Sequence, residues 1–310
     1  MAKSPLPCIL VIKLGALGDF VQALGPMAAI RRHHGDARIT LLTTAPFEDF
    51  AGASGLFGQI WTCGRPGTID IGGWLGLRRR LCDGGFGRVY DLQTSDRSSL
   101  LYRLFWPGRK PEWSGIAKGC SHPHANPKRD FMHTLERQAE QLAVAGISHV
   151  PPPDLSWATA DISRFGLAEH FALLVPGGAA HRPAKRWPPG RFGDLARALA
   201  DQGIEPVLLG SAAEAGIMAA VGATAAGVRN LTGQTGLLDL AALGRGAVLS
   251  VGNDTGLMHL IAAVDCRSVV LYSDESDPAL CAQRGSAASI LRRGQLTDLS
   301  VDEVLEALDL

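Results

Sequence analysis

At 310 residues the chain is longer than a typical single domain, so two α/β domains are the first expectation. Hydrophobic residues at 46% against charged residues at 19% suit a compact globular protein and exclude a disordered one. Thirty basic and thirty acidic side chains cancel, so no global field draws the protein to nucleic acid or an anionic membrane, and only local patches could.

The N-terminal residues lead straight into a strand-length apolar run broken by Lys13, without the long apolar stretch and small-residue cleavage site of a secretory signal. No run approaches the roughly 18 apolar residues that span a bilayer. A soluble, cytoplasmic protein is therefore expected. Strands are expected at Cys8–Leu14, Ala37–Thr44, Gln59–Cys63, Arg88–Gln93 and Glu112–Ile116, alternating with helices at Asp19–His33, Gly73–Cys82, Asp96–Trp106 and Phe131–Gly146. The stretch from Gly108 to Asp130, rich in Gly, Pro, His, Lys and Arg, reads mostly as a long loop. Three prolines at Val150–Asp154 stiffen a linker that divides residues 1–153 from 154–310.

Beyond the linker the alternation resumes. Strands are expected at Ala172–Val175, Glu205–Leu209, Val228–Leu231, Ala247–Val251 and Arg267–Tyr272. Helices are expected near Arg191–Gln202, Ala212–Ala220, Leu237–Gly244 and Thr255–Val264. Near-continuous apolar strands suit parallel sheets buried on both faces, so the expected class is α/β with two doubly wound, Rossmann-like sheets. Ser300-Val-Asp-Glu303 has the spacing of a capping box opening a last amphipathic helix.

Two glycine-rich turns follow apolar strands a domain apart. Lys13-Leu-Gly-Ala-Leu-Gly-Asp19 has the spacing GxxGD, not the GxGxxG of dinucleotide folds. Asp19 reads either as a helix N-cap or as a carboxylate at the sheet mouth able to take a proton from an attacking hydroxyl. In Pro176-Gly177-Gly178-Ala-Ala-His-Arg-Pro-Ala-Lys185-Arg186-Trp187, backbone N–H groups and two cations follow one strand, as an anion site requires. Lys185 is either a solvated loop charge or a group that stabilises a departing diphosphate, and Trp187 reads as a packing residue. Gly252-Asn-Asp254-Thr255-Gly256-Leu-Met-His259 is a polar turn that could cap a helix or bracket sugar hydroxyls and phosphates. Glu214 reads as a solvent-facing helix residue or a ribose contact. Gln93, Asp96 and Arg97 follow a strand, and His133 opens a long amphipathic helix.

The six cysteines lie far apart with no CxxC or Cys/His zinc spacing, so buried thiols are expected and neither disulfides nor a metal site. No Walker A loop, nucleophile elbow or HExxH is present.

Taken together, the opening VIKLGALGD, YDLQTSDRSSLLYR, the MHTLER helix, PGGAAHRPAKRWP and GNDTGLMHL resemble glycosyltransferase family 9, the bacterial heptosyltransferase-type enzymes of lipopolysaccharide core assembly. The resemblance implies a GT-B architecture, with an N-terminal acceptor domain and a C-terminal nucleotide-sugar domain facing a central cleft, the last helix packing back toward the first domain. It implies inverting, metal-independent transfer with no cofactor beyond the nucleotide-diphosphate sugar, here expected to be ADP-heptose. Asp19 would be the general base, after Gly18. Lys185 would contact the diphosphate beside Gly177 and Gly178, Glu214 the ribose, and Asp254, Thr255 and Gly256 the sugar and phosphates. His259 would support that turn, and Arg97 and His133 would lie by the acceptor. The partners implied are a nucleotide-sugar donor and a lipid-linked or oligosaccharide acceptor, with no nucleic acid, at the cytoplasmic face of the inner membrane. Two departures bear on the sugar: Leu271–Asp277 is acidic where the family usually has a glycine-proline-threonine-type loop, and Ala179, Ala180 and His181 follow the glycines. The alternative readings are a nucleotide-sugar epimerase and a binding-only relative.

Overall fold

A computed structural model describes residues 7–64, 66–67 and 69–310 of the chain. The N-terminal stretch before residue 7 lies outside the described residues. Two compact units divide at the triple proline, Met1–Pro153 and Asp154–Leu310.

The first unit holds strands β1 (Cys8–Ile12), β2 (Arg38–Thr43), β3 (Gln59–Thr62), β4 (Arg88–Asp91), β5 (Glu112–Gly115) and β6 (His122–Pro123). Its helices are α1 (Leu17–Gln22), α2 (Leu24–His33), α3 (Glu48–Ala53), α4 (Ile71–Asp83), α5 (Asp96–Arg103) and α6 (Thr134–Val144). All pairings are parallel, and the strand order is β3-β2-β1-β4-β5-β6. β1 is apolar almost throughout because helices cover it on both faces; Leu10 and Ile12 meet Leu42, Leu81, Val89 and Trp113 in one cluster.

The second unit repeats the plan with β7 (Phe171–Val175), β8 (Glu205–Leu208), β9 (Arg229–Asn230), β10 (Leu249–Asn253), β11 (Ser268–Tyr272) and β12 (Ala288–Arg292). Its helices are α7 (Pro189–Asp201), α8 (Ala215–Gly222), α9 (Leu237–Gly246), α10 (Gly256–Ala263), α11 (Pro278–Cys281) and α12 (Val301–Ala307). The order β12-β11-β10-β7-β8-β9 is again parallel and matches the first sheet strand for strand. Both are doubly wound Rossmann-type sheets, and two in tandem make the GT-B plan. Each reverses direction once, between β1 and β4 and between β7 and β10, and ligands bind at the carboxyl ends of strands at such a reversal.

Several boundaries differ from the expected ones. The helix read as Asp19–His33 breaks at Ala23 because Pro26 has no N–H for the Gln22 carbonyl and its ring crowds that oxygen. It also starts earlier, at Leu17, so Asp19 is its third residue and not its N-cap. The segment Gly108–Asp130 holds the expected strand as β5, ending at Gly115, and beyond it the two-residue β6, which is too short to show a period. β12 escapes the sequence reading because it is an edge strand, half exposed, with no continuous apolar run. The capping box at the last helix is present: Ser300 Oγ accepts the Glu303 N–H at 3.2 Å, and Glu303 accepts the Ser300 N–H at 2.8 Å. Within its own unit that helix packs on α7 and β12, with Val304 and Leu308 in the core.

Candidate functional site

In the first unit the turn after β1 meets the turn after β4. Gly15 takes a φ of +114°, a left-handed value that favours glycine. The Leu14 N–H donates to Gln93 Oε1 at 2.8 Å, and the Thr44 hydroxyl donates to the Leu14 carbonyl at 3.2 Å. These bonds shape an open cleft of 740 Å³ lined by Leu14, Gly15, Ala16, Thr44, Phe47 and Gln93. Asp19, half-buried on α1 after the buried Gly18, reaches back so that its Oδ2 accepts the Ala16 N–H at 3.3 Å. Its carboxylate is thus bonded to a residue that lines the cleft, with lone pairs to spare.

Beneath the turn lies a buried charge network that the sequence reading gave no role. The Lys13 ammonium donates to the Leu92 carbonyl at 3.1 Å; burial holds its pKa below the ordinary lysine range, against the opposing pull of Asp19 and Asp91. Burial also lifts Asp91 to about 6, despite the Ser98 hydroxyl, the N–H groups of Thr94 and Gln93 and the Lys13 charge. Arg137 on α6 interacts electrostatically with both Lys13 and Asp19. It lies in the quoted MHTLER segment, but only the packing of α6 against α1 brings it there.

His133 is the N-cap residue of α6, which begins at Thr134, three residues later than expected. Its Nδ1 stands 3.2 Å from the Leu135 nitrogen and 3.1 Å from Glu136 Oε2, accepting from the first when neutral at that nitrogen and donating to the second when protonated. Arg97 is turned toward α4, where it donates to the Pro66 carbonyl and sits 5.8 Å from the Trp74 ring centre. It also lines, with Leu14 and Trp74, a narrow pocket beside the turn.

The second unit's reversal brings together the three motifs after β7, β8 and β10. Asn253 staples the first to the third: its amide donates to the carbonyls of Pro176 (2.8 Å) and Gly177 (3.1 Å), and its Oδ1 accepts the Trp187 N–H (2.9 Å). Trp187 is fully buried against Phe192, as a packing residue should be. Glu214 is not a solvent-facing helix residue. Its Oε1 accepts the Gly178 N–H at 2.7 Å and its Oε2 accepts the Ser211 N–H and hydroxyl, each at 2.8 Å. That closeness explains Gly177: a Cβ there would lie 2.0 Å from Glu214 Oε1.

Lys185 is no solvated loop charge either. Its ammonium sits 2.5 Å from Asp254 Oδ2, both side chains mostly buried. Burial alone would raise the Asp254 pKa, but Lys185, with Ser276 and Gln283, outweighs it and holds the carboxyl below its ordinary range. Ser276 belongs to the acidic segment after β11, two of whose carboxylates turn elsewhere: Asp274 pairs with Arg292 at 3.2 Å and Asp277 caps α11. What this segment offers Asp254 is the Ser276 hydroxyl.

Thr255 is the N-cap of α10, Gly256 its first residue and His259 a buried residue one turn on. The Thr255 hydroxyl and the Arg186 Nε are both buried with no partner among the described residues. Both side chains flank Gly178, and Arg186 also donates to the Gly178 carbonyl at 2.5 Å. A neutral donor, a guanidinium N–H, an ammonium and the free N–H groups of a helix start thus converge, which is the donor set for a phosphate chain. Among the described residues no cluster of His, Cys, Asp and Glu could hold a metal ion. All six cysteines are free, but only Cys120 and Cys266 are buried and Cys82 is exposed, which corrects the expectation of uniformly buried thiols.

Three comparisons bear on this site. A model of glycosyltransferase family 9 (heptosyltransferase) matches residues 74–296. Lipopolysaccharide heptosyltransferase 2 of Escherichia coli (strain K12) is 43% identical over 231 residues, 68% of this chain and 66% of that protein, just under two thirds of its length. Among solved structures, E. coli ADP-heptose lps heptosyltransferase II aligns at a TM-score of 0.75 and 25% identity over 97% of each chain. A family 9 glycosyl transferase from Veillonella parvula DSM 2008 aligns at 0.85 and 19% identity, covering 98% of this chain and 96% of that one, a likeness of fold.

Proposed function

Because the chain belongs to glycosyltransferase family 9, we propose that it transfers a heptose from ADP-heptose to a lipopolysaccharide inner-core acceptor, working at the cytoplasmic membrane face. The observation that carries this is the set of cations and unpaired donors around Gly178: Lys185, Arg186 Nε, the Thr255 hydroxyl and the start of α10. The relatives support the rest, since the matched E. coli protein is a lipopolysaccharide heptosyltransferase and the aligned structure is an ADP-heptose enzyme.

The first unit is the acceptor domain and the second the donor domain. An acceptor hydroxyl in the cleft beside Asp19 attacks the anomeric carbon from the face opposite the diphosphate, so configuration inverts. Asp19 takes the hydroxyl proton as the new C–O bond forms. The bond to the diphosphate breaks as Lys185 and Arg186 neutralise the departing oxygens. Asp254, freed from part of its pairing with Lys185, accepts sugar hydroxyls, and Glu214 accepts from the ribose with the lone pairs that Gly178 and Ser211 leave. Arg97, His133 and Arg137, in the same unit as Asp19, are assigned to the acceptor. This reading assigns the leaving-group charge to side chains, so transfer should persist in EDTA.

Purified protein with ADP-heptose and a core acceptor tests it. Asp19→Asn should lower kcat about 10²–10⁴-fold while ADP still raises Tm. Lys185→Ala should cost about 100-fold in turnover, the effect of losing one charge-stabilising donor, and should weaken the ADP-induced rise in Tm. Near-normal transfer by the folded Asp19→Asn protein would refute the base assignment. ADP at about 100 times its Kd adds roughly 2.7 kcal/mol; stabilisation by UDP or GDP but not ADP would refute the donor.

A further inference from the structure

α4 carries a second pattern beside its buried one. Leu77, Leu81 and Trp74 turn inward, while Ile71, Leu75, Arg78 and Cys82 recur at i, i+4, i+7 and i+11 and form one outward stripe. On that stripe Ile71 is 72% exposed and Leu75 60%, and Ile69 in the turn before it is 90% exposed. Arg78 donates to the carbonyl of Trp106, which is itself 71% exposed, so the indole beyond α5 continues the same face. The Cys82 thiol donates to the Leu104 carbonyl, binding the far end of α4 to the same segment. A groove of 530 Å³ beside Cys82 is edged by Arg109 and Lys110.

The charge on this face is predominantly positive. Arg78, Arg79, Arg103, Arg109 and Lys110 outnumber the acids Asp83, at the end of α4, and Glu112, which pairs with Arg88, while Arg80 stacks on Trp61 and Arg97 turns toward Pro66 and Trp74. Asp70, at the start of α4, is spent as a cap on the Gly73 N–H. Exposed Ile, Leu and Trp interleaved with Arg and Lys suit an interface where apolar side chains enter the acyl boundary and cations meet headgroup phosphates. A water-facing helix gains nothing from exposing Ile71 and Leu75.

We propose that the outward face of α4, continued by Trp106, Arg109 and Lys110, docks the protein on an anionic phospholipid bilayer. This deepens the peripheral placement given above and rests on it. A lipid-borne acceptor would then be met where it lies, by the unit that carries Asp19.

Co-sedimentation of the full chain with vesicles of phosphatidylglycerol and phosphatidylcholine tests the proposal, with transfer to a water-soluble acceptor fragment measured in parallel. Wild type should bind the anionic vesicles at low salt, release at high salt and ignore phosphatidylcholine alone. Arg79→Glu should weaken binding by at least about fivefold, the effect of one surface cation, and Leu75→Ser combined with Trp106→Ser should abolish it. All variants should keep the soluble transfer activity and the wild-type Tm. Wild-type vesicle binding in the variants would overturn the face while leaving the peripheral placement standing. No binding by wild type would overturn both, and loss of transfer activity without vesicles would place these residues in the chemistry instead. A dimer that Leu75→Ser dissociates in light scattering would show the face to be a contact between copies.

Discussion

Asp91 is a carboxyl group in a dry place, and its behaviour with pH follows from that. Its folded pKa of about 6 lies above the ordinary 3.8, so proton binding favours the folded state. That contribution is complete below about pH 4 and is lost as pH rises to about 6; beyond it the buried charge opposes folding by about 3 kcal/mol, at 1.36 kcal/mol per unit. Asp91→Asn keeps an acceptor for the N–H groups of Gln93 and Thr94 and carries no charge. Relative to wild type it should gain up to about 3 kcal/mol between pH 4 and pH 8, read from urea midpoints. A difference that stays constant over that range would mean Asp91 holds no proton. Lys185 and Asp254 show the opposite case. Each satisfies the other, so a pair read separately as loop charge and helix cap becomes one unit, which a diphosphate at the proposed donor site would have to divide.

At the scale of elements, the turns after β7 and β10 are a single structure because Asn253, at the end of β10, bonds to Pro176, Gly177 and Trp187 after β7. Asn253→Ala would leave the Trp187 N–H unpaired in the interior and free two carbonyls. The expected cost is about 2–3 kcal/mol, with weaker ADP binding, because Gly177 and the Lys185 turn lose their common anchor. Urea unfolding and calorimetric titration with ADP would measure the two effects. Unchanged ADP affinity in the folded variant would separate the staple from the donor site. The break between α1 and α2 belongs to this scale too. Pro26 is visible in the sequence, but the periodicity of apolar residues runs straight through it and hides the kink.

At the scale of the molecule, each unit closes its own sheet and its own core, so the chain should not unfold as one cooperative body. Scanning calorimetry should resolve two transitions, and ADP should raise only the one belonging to residues 154–310, the unit proposed to hold the diphosphate. A single transition shifted as a whole would show that the units are energetically inseparable.

The sequence alone determined the class of fold, the two-sheet plan and the identity of the turns, because buried parallel strands need continuous apolar runs and glycine turns follow from local backbone geometry. It also supplied the family, through motifs that are short and contiguous. Only the tertiary structure decided which turns share a reversal, that Asn253 bonds the turn after β7, that Arg137 lies within electrostatic reach of Lys13 and Asp19, and that Glu214 accepts from Gly178. Those facts depend on strand order, which sets residues dozens of positions apart side by side, and no local pattern encodes it. The exposed stripe on α4 was hidden for a related reason. Apolar residues on a helix look alike in sequence, and only the packing of Leu77 and Leu81 shows which face was left over.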